Sequence, residues 1–204
     1  MNEPINENLM FLTVEEFFAI YGDKDEYYEL IDGIPYMMAA PNTGHQGLSS
    51  FLHIEIGNFL KGKKCMVFAA PYDVFLNESP KGADGKPIKN KRTKGTVVQP
   101  DLMVICDRDK IKPDGCHGAP DFVIEIESVS TKNNDKFLKS RKYFSSGVKE
   151  YWLIDPDEET VSVYKFSVTG KKSKKAELQT FTFEDKVKIN IFEDFEIDFK
   201  ELRI

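Results

Sequence analysis

Apolar positions along this chain switch between helical and strand periodicity, and the switches mark out its elements. Thr13 and Glu16 have capping-box spacing ahead of VEEFFAIYG, which predicts a short helix with Phe17, Phe18 and Tyr21 as its apolar stripe and Gly22 as its stop. YYELIDGIPYMMAA then sets two β-rich runs around Asp32-Gly33, the dipeptide of a two-residue hairpin turn. From 45 to 61, Leu48, Leu52, Ile56 and Phe59 recur at helical spacing, and Gly62 closes the run. Residues 65–76 read as extended chain broken at Pro71.

Residues 97–106 and 121–127 read as strands separated by a polar loop holding Pro113, Gly115, Gly118 and Pro120. A helix follows from about 134 to 146, with several N-cap candidates in 130–134 and Gly147 as a left-handed cap. YWLID and VSVYKF flank DPDEET as a hairpin, and ELQTFTF and KVKINIF alternate as a β tail. This order predicts an α/β or α+β sheet flanked by helices, with additional β-hairpins. One domain is expected over 13–204, after a polar lead-in at 1–12.

Composition narrows the picture. Hydrophobic residues make up 41% of the 204 positions and include sixteen Phe, enough for a packed core without metals or disulfides. With 28 basic against 34 acidic residues the net charge is -6, so overall charge cannot hold a polyanion. A local patch or a bound cation would have to do so. The one strongly basic stretch, PKGADGKPIKNKRTKG, carries Lys81, Lys86, Lys89, Lys91, Arg92 and Lys94 against Asp84. It is usual for such a stretch to be a solvated loop.

Cys65, Cys106 and Cys116 are odd in number, unevenly spaced and without a CxxC, which predicts neither a disulfide framework nor a zinc ribbon. No basic segment with an apolar run opens the chain, and no run approaches the length of a membrane span. The expectation is a reduced, cytoplasmic protein.

Two carboxylates interrupt apolar runs without a patterning reason: Asp101 after Pro100, and Glu125 within FVIEIE. On the second run Glu125 and Glu127 share a face by strand period, while Phe122, Ile124 and Ile126 face the other way. A buried acid costs stability unless it is paired or bound to a cation. Mg²⁺ takes oxygen ligands and keeps several waters, so two carboxylates and a substrate phosphate suffice to hold it. Phosphodiester hydrolysis gains from such a metal and from a cation beside the attacking water, and Lys139 on the following helix can supply the latter. From spacing alone, Asp101 equally caps a turn and Lys139 equally pairs with Asp135 four residues earlier. His45, His53 and His117 lack ligand spacing, and no GxSxG, P-loop or Rossmann glycine pattern occurs.

PDLMVICD, GAPDFVIEIESVST, DKFLK with Tyr143, and GVKEYWLIDP, together with YELIDG and His45-Gln46 upstream, resemble the Uma-two family of predicted endonucleases. That family has the restriction-endonuclease-like, PD-(D/E)XK type of fold, and the resemblance spans roughly 13 to 166. It implies a mixed central sheet flanked by helices, Asp101 and Glu125 as ligands of Mg²⁺, with Mn²⁺ able to substitute, and the Ile126 carbonyl as a further ligand. Lys139 matches a catalytic lysine that has migrated from the position now held by Glu127, and Glu29 matches an accessory carboxylate. Glu127 and Val129 depart from the family pattern. Glu127 either serves a second metal or faces solvent and repels phosphate. The implied activity is Mg²⁺-dependent endonucleolytic cleavage of DNA, by analogy as a homodimer. A different class of function on the same fold is a non-catalytic binding or assembly module. A hydrolase of another phosphate ester is a weaker reading.

Overall fold

A computed structural model describes residues 11–76, 95–127, 135–169 and 173–202. The basic stretch and the N-cap candidates at 130–134 lie outside these residues. The chain opens with α1 (Val14–Tyr21), capped reciprocally by Thr13 and Glu16, then β1 (Tyr28–Ile31) and β2 (Ile34–Met37). Asp32 at φ 52° and Gly33 at φ 82° make the left-handed pair that a tight hairpin turn requires. Helix α2 (Thr43–Leu60) follows. Asn42 Oδ1 accepts the His45 N–H at 2.8 Å, so the helix starts ahead of His45 and puts that residue inside its first turn.

Next come β3 (Met66–Ala69), β4 (Val74–Phe75), β5 (Val97–Val98) and β6 (Leu102–Ile105), then the small pair β7 (Ile111–Lys112) and β8 (Gly115–His117). After β9 (Phe122–Ile126) and α3 (Asp135–Ser146) the chain ends in β10 (Glu150–Asp155), β11 (Thr160–Thr169), β12 (Ser173–Thr182), β13 (Lys186–Lys188) and β14 (Glu196–Asp198). Gly147 closes α3 at φ 103°.

The strands form a central sheet in the order β12-β11-β10-β9-β6-β3 and a second sheet in the order β2-β1-β5-β4-β8-β7, with β13 and β14 as a separate ladder. In the central sheet β9 and β10 are parallel, with α3 in the connection between them. The other pairs in that sheet are antiparallel. One face carries Leu102, Val104, Phe122, Ile124, Trp152 and Ile154, which pack on the buried α2 stripe and on the β13–β14 tail. The opposite face carries Met103, Ile105, Val123, Tyr151 and Leu153, in a core with Tyr143 of α3 and strands of the second sheet. This is the period-2 alternation expected of a sheet covered on both sides.

Two departures from the sequence reading concern the same corner. Residues 97–106 are two strands in two sheets, because Pro100 offers no N–H to a ladder and the chain changes sheet there. The 65–76 run makes the matching change at the cis Ala70–Pro71 bond, and Ala70 N–H donates to the Asp101 carbonyl at 3.1 Å. The cysteine expectation is also corrected: Cys65 and Cys106 form a disulfide. They follow one register step beyond the Met66–Ile105 pair of β3 and β6, a proximity that sequence spacing does not reveal. Cys116 is a buried free thiol. The argument from unpaired cysteines for a reducing compartment therefore falls away.

Candidate active site

Four elements converge between the two sheets. Glu29, on the hydrogen-bonded hairpin strand β1, is 2% exposed and points inward. Its Oε1 accepts the Gln99 N–H at 2.8 Å, and its Oε2 lies 2.8 Å from Lys139 Nζ. The same ammonium lies 3.3 and 3.4 Å from the two carboxylate oxygens of Glu125 on β9. Tyr143, one helical turn beyond Lys139 on α3, donates its hydroxyl to Glu125 Oε1 at 2.5 Å. Lys142 adds an ion pair with Asp32 at the hairpin turn, so α3 is tied to β1–β2 at two points.

Asp101 sits at the sheet change beside this cluster. Its Oδ2 accepts the Ile126 N–H at 2.7 Å, next in chain to Glu125, and its Oδ1 lies 3.1 Å from His45 Nε2. His45 is 8% exposed, and its Nδ1 is buried without a hydrogen-bond partner. A bare Nδ1 lone pair is tolerated in such a place better than an N–H without an acceptor, which assigns the Nε2–H tautomer donating to Asp101. Gln99 extends the network by donating its side-chain amide to Asp73 Oδ1 at 2.8 Å.

The electrostatics are those of crowded acid. The Glu125 carboxyl is pushed up to about 8: burial raises it most, Lys139 draws it down, the Asp101 and Glu29 carboxylates raise it, and the Tyr143 hydrogen bond lowers it. Burial likewise holds the Tyr143 phenol well above its ordinary range, with Glu125 adding to the effect. Two glutamates therefore share one lysine, with the Asp101 carboxylate close enough to raise Glu125 further.

Glu29, Glu125 and Lys139 are in direct contact, with Asp101 joined to the β9 backbone beside them. Ile126 meets Asp101 through its N–H. Glu127 is 7% exposed, which excludes the solvent-facing alternative. Asp101 caps no turn by its side chain; it binds β9. Sequence reasoning treated His45 as a helix start and missed its bond to Asp101. Tyr143 stands among the residues of the family resemblance and four residues after Lys139, but neither signal gave its bond to Glu125. Among the described residues, no group of three or more His, Cys, Asp or Glu side chains is arranged to hold a metal ion.

On this mixed α+β fold the parallel strand pair therefore carries an acid, Glu125, that meets the lysine of its own crossover helix. The chain belongs to the Uma2 family: the model of that family, described as "Putative restriction endonuclease", matches residues 14–200. Among solved structures, a putative nuclease belonging to DUF820 from Anabaena variabilis is similar in fold, with a TM-score of 0.67 at 22% identity over 94% of this chain and 97% of that one. No curated protein matches the chain. No helix among the described residues is long and apolar enough to cross a membrane.

Proposed function

We propose that this protein is a Mg²⁺-dependent endonuclease acting on DNA, with Asp101 and Glu125 as metal ligands, Lys139 beside the attacking water and Glu29 as the residue that holds Lys139. The observation that carries this reading is the convergence of Glu29 and Glu125 on Lys139 between the two sheets, with Asp101 bonded to the β9 backbone beside them. The family supports a nuclease-like activity; the metal is argued from the chemistry of the cluster, and DNA as the substrate is what the family resemblance implies.

The residues fit a hard cation completed by substrate. Asp101 and Glu125 each accept hydrogen bonds, yet a carboxylate has about four lone-pair sites, so both keep acceptor capacity. Mg²⁺ needs only one or two carboxylates alongside water and phosphate, which agrees with a site that is no preformed three-ligand cage. The excess of acid over base gives the cation its electrostatic reason to bind.

When bound, Mg²⁺ supplies polarisation of the phosphoryl oxygen and a water of lowered pKa. The protein's own part is positional. Ile126 N–H and His45 hold Asp101 on two sides, Tyr143 holds Glu125, and Glu29 keeps the Lys139 ammonium pointed at the cluster. In that place Lys139 orients water and offsets charge developing on the phosphate.

Calorimetric titration of Mn²⁺ into wild type, Asp101→Ala and Glu125→Ala tests the metal assignment without a guess at the DNA sequence. Binding to wild type that both substitutions abolish, with folds intact, is the expected result. Absence of binding to wild type at high metal concentration would instead favour the non-catalytic module on this fold.

A further inference from the structure

We propose that the cleft beside Asp101 takes the base of an unpaired nucleotide, so that the substrate strand reaches the site single-stranded or with one nucleotide drawn out of the duplex. This rests on the nuclease reading above and specifies its substrate. The cleft has a volume of about 830 Å³, and its lining includes both Asp101 and His45, so it opens onto the cluster already described.

Helix α2 forms one wall. Gln46, Ser50 and Ile54 follow at four-residue intervals and therefore make one stripe. The chain entering the β1–β2 hairpin adds Tyr27, and the Ala70–Pro71 turn lies beyond it. Tyr27 and Ile54 are 58% and 59% exposed, so the cleft offers an aromatic ring and an aliphatic side chain that no core uses.

The charge of the lining selects among parts of a nucleic acid. Asp25, Glu26 and Asp101 contribute carboxylates, and none of the described lining residues is Lys or Arg. A phosphate backbone laid here meets acid without a counter-charge. A neutral base instead brings a π-face for Tyr27 and N–H donors for the carboxylates. Stacked and paired bases of a duplex present no such face, which is why the nucleotide must be unpaired. Its volume suits a single small-molecule-sized group, within the range of roughly 300–1,000 Å³ of such sites. A base seated in the cleft leaves its own phosphate toward Asp101, where the proposed chemistry needs it.

The test uses a fluorescein-labelled short single strand and the same sequence as a blunt duplex, with Ca²⁺ in place of Mg²⁺ and anisotropy as the readout. Wild type, Tyr27→Ala and the cleft-filling Ser50→Trp are compared, with Mn²⁺ calorimetry on each as an independent arm. The single strand should bind more tightly than the duplex, and each substitution should weaken it about tenfold while Mn²⁺ affinity stays unchanged. Equal or tighter duplex binding, or single-strand binding that neither substitution weakens, overturns the assignment. If wild type takes no Mn²⁺ and cuts no strand while both substitutions still weaken single-strand binding, the nuclease reading fails and the cleft assignment stands.

Discussion

Lys139 on α3 reaches Glu29 on β1 with its Nζ 2.8 Å from Oε2, at side-chain exposures of 9% and 3%. This ion pair joins the crossover helix of the central sheet to the hairpin of the other, and Glu125 shares the same ammonium. A lysine in this position is part of the architecture as well as of the proposed chemistry. Lys139→Ala leaves two glutamates without their counter-charge, so its removal costs stability as well as chemistry. Loss of about 3–5 kcal/mol in urea unfolding is expected, together with loss of cleavage. Mn²⁺ should then bind the variant more tightly than wild type, since a repelling charge has gone; calorimetry checks this.

Glu125 makes the stability of the metal-free protein depend on pH with a definite sign. The unfolded carboxyl titrates near 4.5 and the folded one at about 8. Between these values the folded state keeps a proton that the unfolded state has lost, so stability falls as pH rises through that window and levels off above it. Urea melts in chelator across that range should show the decline, and Glu125→Gln should flatten it.

Tyr143→Phe keeps the ring that packs 5.2 Å from Tyr151 and removes only the hydroxyl on Glu125. A cost of about 1–3 kcal/mol is expected. The Tyr143 bond favours the charged carboxylate, so its loss moves the upper end of the pH window to higher values in the same melts.

His45 acts on Asp101 from behind. His45→Ala should weaken Mn²⁺ binding about 10–100-fold with the fold intact, the usual effect of removing a hydrogen bond to a ligating carboxylate. His45→Gln, whose amide can donate from a similar place, should recover part of that affinity. An unchanged Mn²⁺ affinity in the alanine variant would remove His45 from the site.

Glu150 offers a contrast, since it is buried but away from the cluster. Its carboxylate accepts from Trp152 Nε1 at 2.7 Å, Asn190 Nδ2 at 3.0 Å and the Ile191 N–H at 3.0 Å, pinning the tail to the central sheet. Glu150→Ala strands those donors and should cost a few kcal/mol, about 1–3 for each left unsatisfied. Mn²⁺ binding by the folded fraction should not change.

Local chemistry was legible at several places where a residue acts on its neighbours in the chain, though not at the Asn42 cap of α2. The capping box at Thr13 and Glu16, the Asp32-Gly33 turn, the Gly147 cap and the opposed faces of β9 all follow from spacing of two to four residues. The acids at Asp101 and Glu125 and the lysine at Lys139 were visible as residues that periodicity left unexplained, and the family resemblance gave them candidate roles. What spacing could not supply was distance across the fold. The Cys65–Cys106 bond depends on β3 lying beside β6, and the sheet change at Pro100 depends on which ladder each half of the run joins. The bond between His45 and Asp101 needs α2 to pack across the central sheet. Sequence by itself determined the helices, most strand runs, the faces they bury and the identity of the charged groups, because hydrogen bonding and apolar periodicity act within a few residues; the sheet changes within 65–76 and 97–106 and the small β7–β8 pair were not among them. Only the tertiary structure decided that Glu29, Glu125 and Lys139 meet and that a cleft opens beside Asp101, because those relations come from packing two sheets and two helices whose residues are far apart in the chain.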